Sequence, residues 1–317
     1  MNKEYQSKRK RKKNNTWPIK AILACIFAIL IFITYQKGRA FLFSSMISTT
    51  LASNSILEEK IYADSLIFAR EKVISAPYSG KLKILVANGQ RISQSEIFAQ
   101  LEAFGTTAEG KGVQVDLPAP TAGLMFYWWD GLEKVFTSSI LGNSDIKKVF
   151  SAAIPKSLGE TLHVGEPVAK IVDNLEGIYC VAKYDSNAIK VTPAKDEKLL
   201  VSFAGFRTTA LVRDYKKDEA VTYLVLQLSD LPRGFANSRY LNCVLIPQQY
   251  KGIVLPNEAI VTKNGEIGVY VIKTKKTIWQ QVRLVGEVRD EIVVEGLDPT
   301  QEIIINPKWV RNGELAN

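Results

Sequence analysis

Histidine is nearly missing from this 317-residue chain, since His163 stands alone. A zinc site with paired histidines is excluded, and a Ser-His-Asp triad or Cys-His pair would have to depend on that one residue. Its place between Leu162 and Val164 reads as an ordinary strand or surface histidine. Cysteine is scarce too. Cys25 lies in an apolar run, which leaves Cys180 and Cys243 in the strand-like stretches 178–182 and 240–246. A buried free thiol is the simpler reading there, and a disulfide between the two stays open. Sustained helical periodicity is lacking beyond residue 57. Carboxylates are plentiful, but Asp116, Asp130 and Glu133 fall at turns and loop edges, where solubility and turn chemistry account for them. No acid-base pair, metal site or cofactor is expected, and the chain reads as non-enzymatic.

Charge is unevenly spread. Most of the net +9 comes from Lys3, Lys8, Arg9, Lys10, Arg11, Lys12, Lys13 and Lys20, opposed in that stretch by Glu4 alone. The remainder is close to neutral, which argues against a nucleic-acid partner. An uncharged run from Ala21 to Tyr35 follows directly. A hydrocarbon core about 30 Å thick needs roughly 20 helical residues, and Trp17 to Tyr35 just meets that need. Lys20 can snorkel to anionic lipid headgroups, while Trp17 and Tyr35 suit the two interfaces. The expectation is a basic cytoplasmic tail over 1–16, a transmembrane helix over 17–36 and a linker over 37–57, with the C-terminal region outside the cytoplasm. A signal peptide cut near Gly38-Arg39-Ala40 is the competing reading.

Beyond the linker the chain reads as mainly β, in short strands broken by Gly, Pro and Asn/Asp turns. One phrase returns: Ala76-Pro77-Tyr78-Ser79-Gly80 reappears as Ala119-Pro120-Thr121-Ala122-Gly123, each followed by a strand and a turn, Asn88-Gly89 or Asp130-Gly131. The stretch Gly89 to Leu101 likewise resembles Gly159 to Ile171 in the same register. Pro77 and Pro120 fix the chain entering the strand, and Gly80 and Gly123 permit a tight bend. Asn88-Gly89 and Asp130-Gly131 supply positive φ for hairpins. Two copies too small to bury their own apolar faces should pack on one another as a sandwich or flattened barrel. Lipoyl and biotinyl carriers share that plan and present a modifiable lysine between the halves. Here the connection Glu102 to Leu117 offers only Lys111, between Gly110 and Gly112, so carrier chemistry is not expected.

The C-terminal part adds further wording: Gly252-Ile253-Val254-Leu255-Pro256-Asn257-Glu258-Ala259-Ile260, then Gly268 to Ile272, Gln281 to Gly286, Glu295-Gly296-Leu297 and Ile303 to Pro307. In this order of parts the sequence resembles the HlyD-type membrane fusion proteins, periplasmic adaptor subunits of secretion and efflux systems, in a variant without the helical hairpin. The resemblance implies an N-terminal transmembrane helix and a barrel-sandwich hybrid over 58–176, built from the half-lipoyl motifs Val73 to Leu101 and Leu117 to Ile171. It also implies a small β-barrel over 177–252 and a membrane-proximal β-domain over 253–317. The short loop 102–117 stands in place of the hairpin, because at about 1.5 Å per residue it cannot hold two useful antiparallel helices. That favours a Gram-positive-type envelope or a partner close to the membrane. The insert Leu132 to Leu158 is expected to hold a short helix around Asp145 to Ala153, with Asn143 or Ser144 as N-cap.

The implied function is transport without bond chemistry: a homo-oligomeric adaptor assembled with an inner-membrane transporter for export or efflux. The alternative is a structural scaffold of the cell-wall or division machinery using the same fold. Two further features carry paired readings. Phe126-Tyr127-Trp128-Trp129 could grip sugar rings, but Leu124, Phe126 and Trp128 share one strand face and Met125, Tyr127 and Trp129 the other, which suits a strand buried on both sides. Lys273, Lys275 and Lys276 mark a hairpin tip, read either as a solvated turn or as a contact with membrane headgroups.

Overall fold

The computed structural model describes residues 26–35, 47–104, 113–135, 148–150, 154–175, 177–189 and 192–310. Contacts divide the chain into two compact units, Glu58–Gln249 and a second made of Met1–Leu57 with Tyr250–Asn317. The basic tail 1–16 lies outside the described residues. Of the expected anchor, residues 26–35 are described and helical, with exposed apolar side chains. Among the described residues no helix is long and apolar enough to cross a membrane.

The first strands, β1 (Thr49–Leu51) and β2 (Asn54–Glu58), occupy the end of the stretch read as a linker. Both enter the sheets of the second unit, so the stretch 37–57 is not all linker. In the unit 58–249, β3 (Ile61–Phe68) runs into β4 (Arg70–Ser75) with only Ala69 between them. There follow β5 (Gly80–Ile84), β6 (Arg91–Ile92), β7 (Ile97–Ala103), β8 (Val113–Pro118), β9 (Gly123–Phe126), β10 (Trp128–Trp129), β11 (Lys156–Ser157) and β12 (Pro167–Asp173). They form sheets of order β4-β12-β9-β6 and β5-β7-β8, with a small β10-β11 ribbon.

The sequence repeat reappears as a repeat of pairing. Within the first half β5 pairs β7, and within the second β9 pairs β12. The halves exchange their outer strands: β4 pairs β12, and β8 pairs β7. β6 pairs β9, and Leu162 bridges Gly80 in the matching place. The turns correspond too, since Ala76 N–H donates to the Glu166 carbonyl (2.8 Å) and Ala119 N–H to that of Glu96 (2.9 Å). The Glu96 carboxylate accepts from Ser93 N–H (2.9 Å), as that of Glu166 accepts from His163 N–H (2.8 Å). Phe98, Leu101, Met125, Val168 and Ile171 fill the shared interior, which neither half could bury alone. This interlocked pair of halves is a barrel-sandwich hybrid.

Its margins differ from the sequence reading. β7 and β8 stay in register as far as Ala103↔Val113, because Val113, Val115 and Leu117 alternate as a strand does. The expected loop 102–117 therefore shrinks to the connection 104–112, of which 105–112, with Lys111, lies outside the described residues.

β13 (Ile178–Asp185), β14 (Lys198–Phe203), β15 (Phe206–Lys217), β16 (Val221–Leu228) and β17 (Tyr240–Ile246) come next. They close a barrel of order β13-β16-β15-β14-β17-β3. The residues 58–69, read as part of the sandwich, thus supply the closing strand: β3 pairs β13 on one side and β17 on the other. Without it both neighbours would present open edges. Ile61, Ala63 and Ile67 point inward with Cys180, Leu224, Leu226 and Cys243. Both cysteines are free and buried. Burial, reinforced by the neighbouring Cys243, pushes the Cys180 thiol well up. Outside the barrel, Leu66, Phe68, Val181, Tyr223 and Val225 are covered by Val135, Val149 and Phe150 of the insert. Of the helix expected around 145–153, residues 148–150 are described and helical; Asn143 and Ser144 lie outside the described residues.

The second unit holds β18 (Gln249–Pro256), β19 (Val261–Lys263), β20 (Glu266–Lys273), β21 (Lys276–Gln281), β22 (Arg283–Val288), β23 (Glu291–Glu295) and β24 (Glu302–Ile304). One sheet has the order β1-β24-β20-β19, with β21 also on β20, and the other runs β2-β18-β23-β22. Ile253, Leu255, Val269, Val271, Ile292, Val294 and Ile303 pack between them.

Candidate functional site

Strand alternation places the residues of this site. On β12, Ala169 and Ile171 face the sandwich interior while Lys170 and Val172 face the barrel. On β9 and β10, Met125 and Tyr127 face the sandwich, and Leu124, Phe126 and Trp128 join the barrel core. The aromatic run is therefore buried on both sides, which removes the sugar-platform reading for Phe126 and Trp128. Phe235, from the 3-10 turn Arg233–Ala236 that precedes β17, meets Phe126 and Trp128 edge-on at centroid distances of 5.4 and 5.2 Å.

Five charged side chains converge in this joint. Lys170 Nζ lies 2.8 Å from Glu71 Oε2, 3.9 Å from Glu133 Oε1 and 3.2 Å from the Trp128 ring centroid. Arg239 Nη1 lies 2.7 Å from Glu71 Oε1 and donates to the Ile67 carbonyl at 2.9 Å. Its Nε and Nη2 grip both oxygens of Asp130, at 2.8 and 3.2 Å. The side chains of Lys170, Glu71, Arg239 and Asp130 are at most 1% exposed, and that of Glu133 is 8% exposed. Glu71 is held by charge proximity rather than aligned hydrogen bonds.

Charge pairing outweighs burial at Asp130 and Arg239 but not at Lys170. Burial alone would raise the Asp130 carboxyl, but the Arg239 hydrogen bonds and charge outweigh it and hold Asp130 below the usual range. Burial would likewise discharge Arg239, yet Glu71 and Asp130 raise it instead. For Lys170 burial wins: its pKa is lowered although Glu71 opposes the change. Two cations facing three carboxylates, sealed by aromatic rings, can do no acid-base work on an external substrate. They can fix the geometry between sandwich and barrel. Among the described residues no group of His, Cys, Asp and Glu could hold a metal ion.

The residues singled out in the sequence are dispersed. Pro77 is exposed and Pro120 half-buried at the entries to β5 and β9. Gly89 and Gly131 adopt φ of +79° and +82°. Asn88-Gly89 does not close a hairpin; it carries the chain from one sheet to the other, and Asn88 Nδ2 donates to the Ala236 carbonyl at 2.8 Å. Gly80 and Gly123 are required for close approach rather than for a bend. A Cβ at Gly80 would meet the Glu102 carbonyl, and one at Gly123 would lie 2.6 Å from the Val172 carbonyl. Asp130 and Glu133 are not solvated turn residues: Asp130 engages Arg239, while Glu133 accepts from Asp130 N–H at 2.7 Å. Asp116 stays at the surface, accepting from Gln100 Nε2. Lys273, Lys275 and Lys276 are exposed around a turn with positive φ at Thr274 and Lys275. Glu71, Lys170 and Arg239 escaped the sequence reading. A lysine inside Val168-Ala169-Lys170-Ile171-Val172 was the available signal; Arg239 offered none.

Comparison with known proteins bears on the sandwich. Residues 71–173 match the family model described as "RND related, barrel-sandwich hybrid domain". No curated protein sequence matches the chain. Among solved structures, ZneB from Cupriavidus metallidurans is similar at 10% identity and a TM-score of 0.32, over 84% of this chain and 94% of that one. MacA from Actinobacillus actinomycetemcomitans is similar at 12% identity and a TM-score of 0.33, over 81% and 99%. The membrane fusion protein Spr0693 from Streptococcus pneumoniae R6 is similar at 8% identity and a TM-score of 0.28, over 58% and 98%. Scores this low carry no argument about function.

Proposed function

From the match of residues 71–173 to the family model of RND-related barrel-sandwich hybrid domains, we propose that the chain is a membrane-anchored adaptor that assembles with an inner-membrane transporter for export or efflux. The observation that carries this reading is the exchange of outer strands between the two halves, in the segment the family model matches. In this reading the protein acts by assembly, as a homo-oligomer beside the transporter, and performs no bond chemistry. The anchor is the run Trp17 to Tyr35, with the N-terminus in the cytoplasm. Lys273, Lys275 and Lys276 contact anionic headgroups.

One observation favours a second reading, an envelope scaffold. β7 and β8 are joined by the short connection 104–112, which at about 1.5 Å per residue has no length for a helical pair reaching a distant duct. The test is to crosslink the tagged full-length protein mildly in its native membranes and identify its neighbours by mass spectrometry. A multi-pass transporter as the dominant neighbour supports the adaptor. Wall-synthesis or division proteins in its place would sink that reading and support the scaffold.

A further inference from the structure

Sandwich and barrel, both within the unit 58–249, are connected along the described strands by two crossings of the chain. One is Ala69, between β3 and β4; the other joins β12 to β13, where residue 176 lies outside the described residues. The residues that flank them lie side by side, since Arg70 pairs Asp173 on one side and Phe68 pairs Tyr179 on the other. Two adjacent crossings define a hinge line, and motion about it would also shift Leu124, Phe126, Trp128 and Val172 against the barrel core. Gly177, at φ +66°, sits in one of the two.

Arg239 straddles this line. On the barrel side its backbone carbonyl accepts from Ile67 N–H at 3.0 Å, and its Nη1 donates to the Ile67 carbonyl. On the sandwich side the same guanidinium holds Glu71, two residues past Ala69, and both oxygens of Asp130. Ile67 and Glu71 flank the crossing, and one side chain grips both. Burying these charges is unfavourable, and apolar side chains would seal the joint at least as well. A planar fork gives what apolar packing does not, a single permitted direction.

We infer that Arg239 is a splint across the Ala69 hinge, locking the angle between sandwich and barrel. The inference rests on the geometry of this unit and not on the transporter reading. It is tested on the full chain with Cys25→Ser, spin-labelled at Lys83→Cys in the sandwich and Lys217→Cys in the barrel, by pulsed electron-electron distance measurement. With Arg239 present, one narrow distance distribution is expected. Arg239→Met should broaden it at least about twofold, as for a released hinge. That variant strands two buried carboxylates and can fail to fold, so a neutral set, Glu71→Gln with Asp130→Asn and Arg239→Met, is measured beside it. Amide exchange at Phe98 and Leu226 reports whether each module remains folded. Broadening with both amides still protected supports the splint. An unchanged narrow distribution overturns it. So does loss of protection in both variants, which would make the cluster part of the folding core instead of a lock.

Discussion

Glu71 Oε1 lies 2.7 Å from Arg239 Nη1, a charge contact made where neither side chain meets water. Glu71 also holds Lys170, whereas among the described residues Asp130 is ion-paired with Arg239 alone, so the two cations are unequal. Arg239→Met removes the partner of two carboxylates and should lower stability by about 3–5 kcal/mol. Lys170→Met leaves Glu71 on Arg239 and keeps an aliphatic stem against Trp128, so its loss should be clearly smaller. Urea unfolding of both variants gives the order, and an equal or reversed order would contradict it.

The division between what the sequence showed and what it hid follows from how local each feature is. The repeat was legible because Ala76 to Gly80 and Ala119 to Gly123 are short, similar solutions to one local problem, and the packing of two halves unable to bury their faces alone followed from it, whereas the exchange of strands between them did not. The two-faced burial of Leu124 to Trp129 was legible from alternation. The closing of the barrel by β3 was not. A strand's partner is fixed by distant edges, and Ile61 to Phe68 would suit either module by composition. The ionic joint was hidden for the same reason: Asp130 looks like any turn aspartate until Arg239, 109 residues away, reaches it.

Gly80 and Gly123 occupy matching places in the two halves, each admitting the backbone of the last strand of its own half. Gly80→Ala and Gly123→Ala should therefore each destabilise by about 1–3 kcal/mol through overpacking. Gly205→Ala is the contrast, since nothing lies within 4 Å of its Cβ position and only its φ of +89° is strained. Thermal unfolding of the three variants checks this. Loss of stability at Gly205 alone would show that the close approach of β7 and β12 is relaxed by small backbone shifts.

Alkaline pH should destabilise the protein through raised phenols, of which Tyr127 and Tyr240 are shifted furthest, the half-exposed Tyr240 contributing less. Burial raises Tyr127 to about 12, with its hydroxyl donating to the Val86 carbonyl at 2.7 Å. Tyr240 is raised to about 12 by its hydrogen bond to Asp64, with burial adding to the effect. A raised value means the folded state favours the protonated phenol. The stabilisation is fully present below about pH 10, the unfolded value, and is lost as pH rises toward about 12. Asp130 works in the opposite direction, its contribution being lost only as acid carries pH down through its lowered value. Phenolate absorbance followed beside circular dichroism checks the alkaline limb. Ionisation of both tyrosines near pH 10 without loss of structure would count against it.

The hairpin of β20 and β21 ends in Lys273, Lys275 and Lys276, with Ile278 40% exposed beside them. Positive φ at Thr274 and Lys275 makes a tight two-residue turn, which places the three lysines at the tip. A solvated turn and a headgroup contact predict different chemistry for these amines. In vesicles containing phosphatidylglycerol, a headgroup contact worth about 1 kcal/mol per lysine should slow acetylation of the three about fivefold relative to phosphatidylcholine alone. The full-length protein reconstituted into each vesicle type supplies the comparison, with Lys217 on the barrel as an exposed reference. Raising salt should erase the difference, because surface charge attraction is screened within about 10 Å at 0.1 M. Equal labelling in both vesicles would leave the tip a solvated turn and return the search for a membrane contact to the basic residues at the N-terminus.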